Sequence, residues 1–420
     1  MFKILNNNFS KIIISIFFFS LIILVINNEQ ISRIIWWFPE LFGDLKTPVK
    51  WLECNNLGLN FYEDKNSFMK CAKREFNYGK IFFEIPYSDR LNFFYIKVLP
   101  YILIFLSIYL FVIIFAIQNY ISLIILILVI FNPSSFLLYS GANIDLLIFV
   151  LLVFTVLNRV YIINWALYFF LTFTKIYPII LFLNIFFENK NRSIKKIFTI
   201  FLIIFIISIS YLYFNYSEYI YFLNNLSGAK AGYHYLFSLN SSAKILKYLF
   251  NFNYILLLIL TYFLFFYLTS KAYKKISLNL NNDILNNINF YSYEFKLFII
   301  SSYLSILCFI FFSNFFHREI FLIGILPLII KLAITLKKFP FQIILNIYLA
   351  KLFYSYIYSY FNVNDGIQYI EGQRIFSNLF ILAISFKSLI DYLLMIMLTA
   401  LSLYFANLFY KNLKKNFNYK

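Results

Sequence analysis

Charge is the first scarcity in this chain. Of 420 residues only 13% are charged, while 62% are hydrophobic, and the mean hydropathy is +0.78. A soluble domain of this size has no use for so much apolar surface, so that class is excluded. Acidic residues are scarcer still, 18 against 36 lysines and arginines, which leaves a net charge of +18. A basic excess can signal nucleic acid. Here the basic residues stand in short clusters between apolar runs, as cytoplasmic loops of membrane proteins require, and nucleic acid is excluded as a partner. Three cysteines and two histidines show no metal-type spacing, and His234 and His317 are far apart in sequence; neither metal nor cofactor is expected. Glycine (9) and proline (8) are rare, and Phe, Ile, Leu, Asn, Lys and Tyr dominate. No internal repeat is evident. No small-residue cleavage site follows the first apolar run, 12–26, only the bulky "INNEQISRIIWWF", so an uncleaved first helix is expected.

Long apolar runs are what the chain does have. They cover 12–26, 93–117, 121–139, 146–157, 165–187, 197–214, 254–268, 297–313, 320–336, 341–361 and 389–409. Continuous runs without alternation select helices over a barrel. The expected fold is an all-α polytopic membrane protein with roughly 11–13 transmembrane helices, forming a single integral membrane domain over 1–420. Two long polar segments interrupt it. Segment 39–92 holds eight of the eighteen acidic residues and reads as an extracytoplasmic loop with short helices at the membrane surface. Segment 215–253 reads as a second large extracytoplasmic loop. Cys54 and Cys71 share the first loop and could form a disulfide if it faces an oxidising compartment. Cys308 lies in an apolar run and reads as packing.

Charge placement sets the expected orientation. With the N-terminus inside, 39–92 is outside, "QNY" at Gln118 inside, "SGANID" outside and Arg159 inside. If 165–187 crossed once, the later basic clusters "ENKNRSIKK", "KAYKK", "KK" at Lys337 and the C-terminal "YKNLKKNFNYK" would all face outward, against the positive-inside rule. A segment that goes out and returns repairs all of them, with its turn at "TKIYP". Pro178 provides the break, because it lacks an amide donor and clashes with the preceding turn. Each arm is then about eleven residues, roughly 16 Å of helix, too short for a ~30 Å core. Such arms must line a cavity or form a re-entrant pair. Both termini are expected in the cytoplasm and the chain in a bacterial plasma membrane.

Four polar clusters fall on the outer side in this arrangement. They are "GDLKTPVKWLECNNLGLNFY" with Asp44, "SGANIDLL" with Asn143 and Asp145, "TKIYP" with Lys175 and Tyr177, and "NFFHREIFLIGILP" with His317, Arg318 and Glu319. Each has a bland reading: a solvated loop charge, a helix cap, a snorkelling lysine, a short loop. Their convergence on one face argues for a site, since charges at membrane depth usually mark one.

These stretches, taken together and in order, resemble the polytopic GT-C glycosyltransferases that use polyprenyl-phosphate sugars, and are most similar to the family 87, mannosyltransferase-like group. Asp44, Gly58 and Tyr62 match an Asp, Gly and aromatic after the first helix. "SGANIDLL" is similar to a G-N-x-D-L-L stretch, with Ala142 as an added residue. "TKIYP" is similar to K-x-Y-P, and "HREIFLIGILP" to a late Arg-to-Pro motif. The resemblance implies transfer of a sugar, such as a mannose-like hexose, from a polyprenyl-phosphate donor to a lipid or glycan acceptor at the extracytoplasmic face. It implies Asp44 as general base. Lys175 and Arg318 would offset charge on the departing phosphate, with His317 as hydrogen-bond donor. Asn143, Asp145 and Tyr177 would bind substrate, Asp145 also orienting Lys175. A transporter or flippase of a lipid-linked substrate is the alternative, because it too places charges at broken helices.

Overall fold

The computed structural model describes residues 7–28, 41–73, 78–115, 119–175, 177–187, 194–224, 236–280, 288–311, 314–364, 368–370, 373–375 and 378–418. The chain is built from helices. In order they are α1 (Asn8–Asn27), α2 (Gly43–Asn56) and α3 (Lys65–Ala72). A continuous helix follows, α4 (Asp89–Phe115), then α5 (Tyr120–Ile130), α6 (Pro133–Gly141), α7 (Ile144–Leu157) and α8 (Tyr161–Thr174). Next come α9 (Ile194–Phe214), α10 (Tyr216–Asn224), α11 (Leu239–Phe250) and α12 (Tyr254–Asn279). The series closes with α13 (Tyr293–Phe311), α14 (Leu326–Leu336), α15 (Phe339–Asn364) and α16 (Asn378–Asn418). Tight 3-10 segments occupy Lys80–Glu84, Tyr177–Phe187 and Phe316–Ile325. Two minimal antiparallel ladders complete the set. β1 (Leu236–Phe237) pairs with β2 (Asn314–Phe315), and β3 (Gln368–Ile370) with β4 (Gln373–Ile375).

Among the described residues, six helices are long and apolar enough to cross a membrane: α1, α4, α12, α13, the stretch Arg318–Leu336, and α16. The number rises to seven if α5 and α6, bent by 47°, count as one broken span. The eleven apolar runs therefore do not translate into eleven full spans. The runs at α7, α8, Tyr177–Phe187 and α9 fold as shorter apolar helices. The bend between α5 and α6 falls at Asn132–Pro133, where Asn132 caps α6 by accepting from the Ser134 amide at 3.0 Å and Pro133 takes the first helical position, where a missing N–H is harmless. Helices α9 and α12 turn rows of Ile, Leu and Phe outward, including Ile203, Phe205, Ile206, Ile259 and Phe263, each at least half exposed. Apolar surface on that scale fits lipid and does not fit water.

The chain divides into two compact units. One comprises residues 1–37, 111–137 and 229–420; the other comprises 38–110 and 138–228. The second unit contains the polar segment after α1. There, Cys54 of α2 and Cys71 of α3 are joined by a disulfide. Around it Trp51, Phe61, Phe68, Tyr78 and Phe82 form a buried aromatic core that also takes in Ile144 at the start of α7. Asp64 caps α3 by accepting from the Ser67 amide at 3.1 Å and hydroxyl at 2.5 Å. Those bonds hold its carboxyl below the usual carboxylate range. Segment 215–253, where described, is α10, β1 and α11; the stretch 225–235 within it lies outside the described residues.

Candidate functional site

Two helix starts and one helix end supply the site, all in the second unit. Asp44 stands in the first turn of α2, where the helix dipole favours a carboxylate. Asp145 stands in the first turn of α7, whose cap is Asn143; the Asn143 side-chain oxygen accepts from the Asp145 amide at 2.9 Å. Ala142, just before the cap, has φ +47°, a conformation that disfavours any residue with a Cβ. That backbone kink separates α6 from α7 and turns Asn143 toward α2. The added residue in "SGANID" is thus the residue that makes the turn.

Lys175 caps the C-terminus of α8, in extended backbone with φ −139° and ψ 134°. The helix stops here because Pro178 has no amide to give to the Thr174 carbonyl and its ring would clash there, and the chain resumes as the 3-10 segment Tyr177–Phe187. The out-and-back reading of 165–187 expected a break at this position, with arms of about eleven residues; the arms run Tyr161–Thr174 and Tyr177–Phe187.

Four residues from three separate motifs are joined by consecutive hydrogen bonds. Lys175 Nζ donates to Asp145 Oδ1 at 2.7 Å. The Asp145 amide donates to Asn143 Oδ1, and Asn143 Nδ2 donates to Asp44 Oδ2 at 2.9 Å. Asp145 is fully buried and the Lys175 side chain is 12% exposed, so both charges have left bulk solvent, and each needs the other. Among these four residues there are two carboxylates and one ammonium. The Asn143 amide engages one oxygen of Asp44 and leaves the carboxylate a second.

Lys175 also faces the ring of Tyr78, 4.9 Å from its centroid, an arrangement that favours a desolvated cation. Tyr78 is held edge-on by Trp51 at 5.2 Å. Its neighbour Gly79 docks on the end of α8: the Gly79 amide donates to Thr174 O at 3.0 Å, and a Cβ there would stand 1.9 Å from Phe173 O. The Tyr219 hydroxyl donates to that same Phe173 oxygen at 2.7 Å, and burial pushes the phenol upward from its ordinary range. Gly79 and Tyr219 thus satisfy two carbonyls that the end of α8 leaves without helical partners. A Lys80–Glu218 ion pair at 2.7 Å lies beside them.

Tyr78 and Gly79 were not among the residues the sequence pointed to. A tyrosine and a glycine in an aromatic-rich polar segment carry no local signal; their role depends on tertiary docking. Tyr177 opens the 3-10 segment, but its side chain lies outside the described residues. His317 and Arg318 belong to the other unit, in the 3-10 segment Phe316–Ile325. Arg318 is partly buried, and the His317 side chain lies outside the described residues.

In that other unit a second charged cluster appears. Glu319, Lys351 of α15, and Lys387 and Asp391 of α16 close into a ring. Lys387 Nζ contacts Glu319 Oε1 at 2.7 Å and Asp391 Oδ2 at 2.8 Å. Lys351 Nζ contacts Glu319 Oε2 at 2.7 Å and also Asp391 Oδ1. All four side chains are less than a tenth exposed. Among the described residues no group of three or more His, Cys, Asp or Glu is arranged to hold a metal. No protein-family model, no curated protein and no solved structure matches this chain.

Proposed function

We propose that the protein is a membrane glycosyltransferase of GT-C type, moving a sugar from a polyprenyl-phosphate donor to a lipid or glycan acceptor at the extracytoplasmic face, with Asp44 as general base. The observation that carries this reading is the hydrogen-bonded series Lys175–Asp145–Asn143–Asp44. It links one cation to one carboxylate, of which Asn143 engages a single oxygen, through groups that are themselves held at helix ends. Sugar transfer needs both. The acceptor hydroxyl must give up its proton as its oxygen attacks the anomeric carbon, and a carboxylate within hydrogen-bond reach takes it. The bond to the lipid phosphate breaks at the same time, and a fixed ammonium offsets the charge that builds on the phosphate oxygen. In this assignment Asn143 orients Asp44, Asp145 aims Lys175, and Tyr78 packs against the cation. His317, Arg318 and Tyr177 are assigned to substrate by resemblance alone.

A second reading, a transporter or flippase of a lipid-linked substrate, draws on the buried ring of Glu319, Lys351, Lys387 and Asp391, since ionisable groups deep in apolar helices often line a transport path. A sugar-transfer assay on membranes separates the two. With normal expression, Asp44→Asn should lower transfer by about 10²-fold or more, the weight of a general base. Retained transfer removes Asp44 from that role. Absence of transfer by the unaltered protein with any polyprenyl-phosphate sugar, together with movement of the lipid across vesicles, favours the transporter.

A further inference from the structure

The charged ring borders a small polar cavity in the first unit, and the two together define a site that the proposed reaction does not use. The cavity measures about 10 Å³ and is lined by Asn132, Ser135, Glu319, Tyr348, Lys351 and Ser355, among others. That is room for one water and nothing larger. Most of the polar lining is committed elsewhere. Asn132 Nδ2 donates to Ser355 Oγ at 2.6 Å, Ser355 Oγ donates to Leu352 O at 2.6 Å, and Ser135 Oγ donates to Val129 O at 2.8 Å. What these hydroxyls retain is acceptor capacity. Tyr348 differs. It is 3% exposed, and among the described residues its hydroxyl makes no hydrogen bond. A buried phenol ordinarily finds a partner.

The occupant's chemistry follows from this lining. Each carboxylate oxygen of the ring already takes one ammonium, and each ammonium gives two of its three N–H groups to the ring. Glu319 therefore keeps lone pairs and Lys351 keeps one N–H. A cation would sit against Lys351 and an anion against Glu319, so both are disfavoured. A neutral molecule that donates and accepts fits every wall. We propose that the cavity is a binding site for a single water, held by the Tyr348 hydroxyl together with Glu319 and Lys351, which ties α15 to the Phe316–Ile325 segment through the ring.

The test uses the full chain in lipid nanodiscs. A density map that resolves ordered waters should show one peak in the cavity, within hydrogen-bond distance of Tyr348 Oη and of Glu319 or Lys351. A dry cavity in a map that shows waters elsewhere overturns the proposal. So does a peak that grows in density when sodium is exchanged for rubidium, which would identify a cation. Thermal unfolding gives an independent reading. If Tyr348 holds the water, Tyr348→Phe removes a bond and lowers the melting temperature. If the hydroxyl is an orphan, the same change relieves a desolvated group and leaves the melting temperature unchanged or raised, which also overturns the assignment.

Discussion

Two regions of this molecule bury lysine against carboxylate, and they do so in different ways. In the first unit the ring of Glu319, Lys351, Lys387 and Asp391 is closed: two ammonium groups and two carboxylates, with every carboxylate oxygen engaged by a lysine. In the second unit the arrangement is open. One lysine meets one aspartate, and the series continues through a neutral amide to a second aspartate, with no second cation among the four residues. A closed neutral ring has satisfied its own charges and suits the holding of helices. An open series that ends in a carboxylate can still accept a proton, and that suits chemistry. The same two residue types thus read as scaffold in one place and as site in the other, and connectivity decides which.

The sharpest way to break this comparison is to remove one member from each. Glu319→Ala leaves two buried ammonium groups sharing one carboxylate, and should cost about 3–5 kcal/mol of stability, measured by thermal or denaturant unfolding in detergent. Replacing all four ring residues with apolar residues of similar size should recover most of that loss, since a buried ion cluster exchanged whole for packed hydrophobes is often neutral. In the second unit, Lys175→Met strands the fully buried Asp145 and should cost up to about 3–5 kcal/mol. Lys175→Met with Asp145→Leu should restore stability and leave sugar transfer abolished. If the double variant transfers sugar, the open series is scaffold as well and the distinction fails.

A smaller effect tests how the second unit is held. The Cys54–Cys71 disulfide closes a loop of 17 residues beneath the core on which Tyr78 rests. Cys54→Ser with Cys71→Ser should lower stability by about 3 kcal/mol, the chain-entropy value for a loop near that length. Because Tyr78 packs on Lys175, transfer should fall along with it. Variants in the ring should show the opposite pattern under reductant: no added sensitivity, since Cys308 is the one cysteine in the first unit and forms no disulfide.

Much of the second unit's site was legible in the sequence because each of its residues breaks a local rule. Lys175 interrupts an apolar run just before a proline, and Asn143 and Asp145 stand at a helix start between two others; both are visible without a structure. Tyr78 and Gly79 break no such rule. A glycine whose Cβ would collide with a carbonyl on α8 looks like any loop glycine until the two segments dock. The ring was half legible. Lys351 stands midway along α15 and obeys the same signal that singles out Lys175. Lys387 and Asp391 straddle the point where the last apolar run begins, and α16 extends back to Asn378, so both become helical and buried. Glu319 reads as one charge of a short polar triplet; only the packing of three elements shows it to be a ring member. The helix count was least legible. Run length reports burial in lipid or protein alike, and α7 and α8 are apolar yet too short to span.

Lys80–Glu218 supplies the exposed end of the same scale. Its distance, 2.7 Å, matches that of the buried pairs, but the side chains are 41% and 19% exposed. The bond from Lys80 holds the Glu218 carboxyl below its ordinary range. A depressed carboxylate stabilises the fold above its unfolded pKa, about 4.3, and that contribution disappears as the pH falls through the folded value. Solvent screens the pair, so the whole effect should be no more than about 1 kcal/mol. Glu218→Gln should therefore lower stability slightly at pH 7 and by nothing measurable at pH 3, and added salt should shrink the difference at pH 7. If the substitution proves as costly as Glu319→Ala, distance alone would set the worth of an ion pair here, and burial, on which the contrast between ring and open series rests, would not.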